Sequence, residues 1–198
     1  MGRQPPWEGF RLAPEDELRM AARLFRESPT WSRPLSDDAL GGALRFAVEQ
    51  GQAGALDSLH DESVSLSLRA ACVTEMLALY RDVLAPRLAD LRDPDVARRH
   101  PPVLASVCTM WWEYVPLGPS PDSTAGVAMD HCVIGVLSLT LALPSVACQW
   151  SAVHGLGHWI PGYPEVVGPV LRHFIASSAG ASPCLCAYAK LAAAGKIL

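Results

Sequence analysis

The stretch SVSLSLRAACVTEMLALYRDVL, Ser63 to Leu84, decides the fold class. Leu66, Ala70, Val73, Leu77, Tyr80 and Leu84 recur at alternating steps of four and three, which puts them on one face of a helix with about 3.6 residues per turn. Ala71, Thr74, Met76 and Ala78 widen that face, so the segment reads as a long, well-buried helix. The same period appears on both sides of it. Upstream, Pro14-Glu15-Asp16-Glu17 suits a first turn, where free amides and the helix dipole favour acids, and Leu18, Ala21, Ala22 and Phe25 follow as one stripe ending near Ser28-Pro29. Ser36 can cap a second helix through Leu40, Ala43, Leu44 and Ala47 to Gly51.

Downstream, Leu91 to His100 is polar and proline-bounded, and Val103 to Tyr114 predicts one helix with Met110-Trp111-Trp112 near its end. VPLGPSPDSTAG, Val115 to Gly126, is the clearest exposed loop or linker, being rich in proline and glycine. Four further helices are expected over Val127–Leu143, Ser145–Trp159, Pro164–Ser177 and Pro183–Ala194, with Gly195 as a stop and Gly168-Pro169 kinking or restarting the third. No stretch alternates apolar and polar residues between hairpin turns. The fold expected is a single all-α domain, an irregular helical bundle or short α-solenoid. Its parts are an N-terminal arm (1–13), N-terminal helices (14–114), the loop (115–126) and C-terminal helices (127–198).

In that last part, PSVACQWSAVHGLGH and SPCLCAYAKLAAAGKIL each have proline near a helix start and continue with small residues, and PEVVGPVLRHFIAS lies between them with Val166, Val170 and Phe174 spaced helically. The alternation resembles HEAT repeats, at a register of about 38 residues and over roughly the last 75. The resemblance implies a helical scaffold that binds a protein partner.

Composition narrows the function classes. Of 198 residues, half are hydrophobic and 18% are charged, which argues against disorder and leaves apolar surface for an interface. A net charge of −4 provides no basic field for nucleic acid or an anionic membrane. The longest apolar run, Cys132 to Leu143, is shorter than the roughly 20 residues a membrane span needs. MGRQPPWEGF lacks the apolar core of a secretory signal, and Pro6 breaks the myristoylation pattern. Six cysteines dispersed through apolar segments suit reduced, buried thiols, so a cytoplasmic location is expected.

SAVHGLGHWIPGYP, Ser151 to Pro164, holds the one candidate for chemistry, His154 and His158 on one helix face. Zinc proteases write that pair as H-E-x-x-H, with the glutamate as general base, and Gly155 stands in its place here. Two glycines in one turn also cost about 2 kcal/mol relative to alanine. A metal needs a further ligand, for which Asp130, His131, Glu165 and His173 are the candidates, and spacing places none of them. The reading adopted is structural: the glycines let a neighbouring helix approach, and the imidazoles donate to its backbone carbonyls. Trp111 and Trp112 point about 100° apart on a helix and can hardly share one core pocket; an aromatic lid over the core is the commoner role, and with Trp159 they are the residues expected at an interface. The expected function is a non-enzymatic adaptor without a cofactor that binds a protein partner through a helical face, with homo-oligomerisation left open. The alternative is a metal-dependent hydrolase built on His154 and His158.

Overall fold

The computed structural model describes residues 12–49, 56–91, 102–177 and 182–197, and within them all regular secondary structure is helical. Most of the arm, with Trp7, and the polar segment after Leu91 lie outside the described residues.

Helix α1 spans Pro14–Arg26 and buries Leu18, Ala21, Ala22 and Phe25, the stripe read from the sequence. A short α2 (Ser28–Trp31) follows, and the Trp31 indole N–H donates to the Leu24 carbonyl at 2.7 Å, folding the turn back on α1. Helix α3 spans Asp37–Val48, and the Ser36 hydroxyl accepts from the Ala39 N–H at 3.2 Å. That cap satisfies one amide the helix cannot. Replacing Ser36 by alanine is expected to cost about 1 kcal/mol, seen as a lower denaturant midpoint at unchanged slope.

Helix α4 spans Leu66–Leu79 and continues through a wide turn, Tyr80–Leu84, into α5, Ala85–Arg87. Pro86 has no N–H for the Asp82 carbonyl and its ring crowds that carbonyl, so the ladder loosens there. The Ala85 N–H reaches back five residues to the Tyr80 carbonyl instead. The most buried face of α4 is Arg69, Cys72, Val73, Met76 and Leu79, with Leu66, Ala70 and Leu77 on its flanks. This is a rotation of the expected stripe, because α4 is covered by two neighbours, α1 and the later α8.

The helix expected over Val103–Tyr114 is two helices, α6 (Val103–Thr109) and α7 (Trp111–Tyr114), separated at Met110. The Thr109 hydroxyl bonds back to the Ala105 and Ser106 carbonyls at 3.1 Å each, competing with the ladder as α6 ends. The break changes the fate of the tryptophans. Both enter the core, Trp111 at 0% and Trp112 at 3% exposure, where a straight helix would turn one of them outward. Tyr80 lies between them, edge-on to Trp111 and parallel to Trp112, each at 6.4 Å.

Helix α8 spans Thr124–Leu141, three residues earlier than expected, because the Ser123 hydroxyl accepts from the Gly126 N–H at 2.8 Å and starts the helix inside the predicted loop. By length and composition it is long and apolar enough to cross a membrane, and it packs against α4 and α9. Helices α9 (Val146–Trp159), α10 (Pro164–Ser177) and α11 (Pro183–Ala193) follow within a residue of their expected bounds. Helix α10 runs through Gly168-Pro169 as one helix rather than restarting, with Val167, Leu171 and Phe174 buried on both sides of the proline. Gly195 takes φ +66°, the left-handed stop that ends α11.

Helix α9 is the hub. It touches α6, α7, α8, α10 and α11, and eleven of its fourteen residues are buried. A helix enclosed on all sides has no polar face to leave a period in the sequence.

Candidate metal centre

The hub helix carries the two histidines one turn apart, so their rings leave it on the same side. Both glycines between them are sites of close approach. A Cβ on Gly155 would lie 2.5 Å from Leu137 Cδ2 and 2.9 Å from the Trp112 ring, and a Cβ on Gly157 would overlap the Ile197 side chain. The glycines thus let α8, α7 and the C-terminal segment close on α9, as the sequence predicted. The close approach at Gly155 has a chemical consequence. It seats Trp112 against α9, and the next residue, Glu113, reaches the histidines.

Glu113 Oε1 lies 2.7 Å from His154 Nε2 and 2.6 Å from His158 Nε2, and the two nitrogens are 3.3 Å apart. The ligand atoms of all three residues fall within 4.8 Å of one another. The imidazoles therefore converge on a shared side chain. The expectation that they donate to backbone carbonyls of the next helix does not hold, because the break at Met110 turns α7 so that a carboxylate takes that place. The outer nitrogen of His154, Nδ1, is hydrogen-bonded to the Tyr188 hydroxyl from α11. Tyr188 stacks in parallel on Trp150 with ring centroids 4.2 Å apart, which fixes the direction of that hydroxyl.

The spacing suits a tetrahedral divalent ion: two nitrogens each about 2.05 Å from zinc lie about 3.3 Å apart, the separation of the two imidazoles here. The carboxylate sits closer, at a hydrogen-bond distance, and must draw back by roughly 0.6 Å or turn its second oxygen inward to ligate. Electrostatics favour the ligating forms. Burial lowers the His154 pKa, the Glu113 hydrogen bond opposes that shift, and His158 adds to it; the net direction is down, so the ring is neutral near pH 7. Burial pushes the Glu113 carboxyl up, but the two imidazoles outweigh it and hold the group below the usual glutamate range.

Exposure is graded across the trio: the His154 side chain is 6% exposed, His158 36% and Glu113 38%. The open side faces a cleft of about 390 Å³ lined by Glu113, His158, Trp112, His60 and the Val115–Pro119 segment. That segment is held at its far end. Asp130 Oδ2 accepts from the Ser120 N–H and, at 2.7 Å, from the Tyr163 hydroxyl, while Pro119 packs over Gly162.

No family model, curated protein or solved structure matches this chain. The site is therefore read from its own geometry. Of the ligands the sequence nominated, Asp130 serves the loop, His131 lies against Tyr163 at 5.6 Å, and Glu165 and His173 are exposed on α10. Glu113 was missed because it stands 41 residues from His154. One signal was present: it is the single acid in the chain between Asp95 and Asp122. Trp111, Trp112 and Trp159, the expected interaction residues, are at most 3% exposed, so their rings serve the interior.

Proposed function

We propose that this chain is a metal-dependent hydrolase in which Glu113, His154 and His158 hold one divalent ion of the zinc type at the wall of the cleft. The observation that carries this reading is the convergence of a carboxylate and two imidazoles, from two helices far apart in sequence, at the edge of an open cleft. Two histidines and a glutamate are a donor set that leaves zinc a fourth position, and Glu113 and His158 give that position a side facing the cleft. A divalent ion held there by Glu113, His154 and His158 would supply a Lewis acid able to polarise a carbonyl or phosphoryl oxygen and to acidify water near neutral pH. Gly155 cannot act as the general base, so proton transfer falls to the cleft. His60 lines it and, among the described lining residues, is the titratable one that the proposed ion does not engage.

The test is hydrolysis of 4-nitrophenyl acetate by the zinc-loaded protein. Turnover is expected to disappear with dipicolinate, to return with added zinc, and to fall about 100-fold in His60→Gln with zinc content unchanged. A protein that carries stoichiometric zinc and shows no chelator-sensitive turnover counts against hydrolysis; one that takes up no zinc removes the reading. Partner binding through the tryptophans has less support, since none of the three presents an exposed ring.

A further inference from the structure

We infer that Tyr188 is a positioning residue for the metal, its hydroxyl holding His154 through Nδ1 in both the metal-free and the metal-bound tautomer. The inference rests on the metal-site reading above. Without an ion, His154 Nε2 donates its proton to Glu113 Oε1, so Nδ1 is bare and accepts from the Tyr188 O–H. With an ion, the Nε2 lone pair is the ligand, so the proton must sit on Nδ1, and the same Tyr188 oxygen must then accept from it. The imidazole is neutral throughout; its proton leaves Nε2 and returns to Nδ1 by exchange with water. A phenol serves both states because its oxygen donates one hydrogen bond and accepts others, whereas a carbonyl could serve only the second. The stack on Trp150 holds the phenol ring, and Gly157 lets the chain beyond α11 lie close enough for that helix to seat against α9.

The test uses the full-length protein, zinc in competition with a chromophoric chelator, and nitrogen-15 NMR of the histidines. Tyr188→Phe keeps the ring stack and removes the hydroxyl. Its zinc affinity is expected to drop 10- to 100-fold, the range for losing the hydrogen bond behind a ligating histidine, and in the zinc-bound protein the His154 Nδ1 resonance is expected to shift as it loses its acceptor. Trp150→Phe keeps the hydroxyl and still offers Tyr188 an aromatic face to stack on, and is expected to stay within about threefold of wild type. Tyr188→Phe binding zinc like wild type, with the zinc-bound His154 Nδ1 resonance unchanged, overturns the inference and leaves the metal site standing. An equal loss in both variants assigns the effect to ring packing and also overturns it. If the wild type itself binds no zinc, the metal reading fails and this inference with it.

Discussion

Glu113→Gln is expected to keep the fold and lose zinc affinity on the order of 100-fold or more. Apparent zinc binding energies of about 10–16 kcal/mol in structural sites, shared over four ligands, give about 3 kcal/mol per ligand, which corresponds to roughly 150-fold in affinity. Glutamine keeps the size and one acceptor oxygen but not the charge, and an amide oxygen is a poor zinc ligand. The fold should tolerate it, since the Glu113 side chain is 38% exposed and sits on a four-residue helix anchored by its tryptophan neighbours. His158→Ala should match it, while His173→Ala, on an exposed position of α10, should bind zinc as wild type does. Chelator competition at pH 7.5 reads all three. A Glu113→Gln protein within threefold of wild type would mean that the carboxylate only bridges the imidazoles by hydrogen bonds.

The helices were legible in the sequence wherever their ends are chemically marked. Ser36 caps α3, Pro164 and Pro183 open α10 and α11, and Gly195 closes the last. Misreadings occurred where a side chain competes with the backbone. Ser123 drew α8 three residues into the loop, and the break at Met110 split a helix that the apolar pattern reads as continuous. The second of these hid the site. A continuous helix would send Trp111 and Trp112 in different directions and leave Glu113 unplaced, whereas the break delivers both rings to the core and the carboxylate to α9. The histidine pair was visible because four residues is a local spacing. Its partner was not, because the contact of α7 with α9 spans about 40 residues and leaves no period in the chain. Gly155 is a packing glycine, as its sequence context suggests, and it offers no side chain to act as a base. The residue that cannot be a base is the one that admits Trp112, and so the carboxylate beside it.

Trp112→Ala should separate the interior role of these tryptophans from an interaction role, because the two readings differ by several kcal/mol. Truncating a buried tryptophan costs about 3–5 kcal/mol in lost contacts and residual cavity, whereas a surface anchor changes folding stability by roughly 0.5 kcal/mol or less. Trp112 is 3% exposed, parallel to Tyr80 and close against Gly155, so the full cost is expected, seen as a lower denaturant midpoint with an unchanged slope. A domain of this size commonly has 5–15 kcal/mol of stability, so a folded population should survive for measurement. Trp111→Ala should cost a similar amount, since Trp111 is fully buried, packs edge-on to Phe25 and Tyr80, and donates its indole N–H to the Met76 sulfur at 3.5 Å. Zinc then distinguishes the two. Trp111 faces α1 and α4, away from the histidines, and its loss should leave zinc affinity within a few fold of wild type. Trp112 is the wedge between α7 and α9, and without its ring Glu113 is no longer held at 2.6 and 2.7 Å from the two imidazoles. Ordering the freed segment again on binding costs about 1–2 kcal/mol for each residue fixed, which is a loss of roughly tenfold or more in affinity. Equal stability losses with unequal zinc losses would place the metal centre on the Trp112 side of the core. Equal zinc losses would mean that the core supports the site only as a whole.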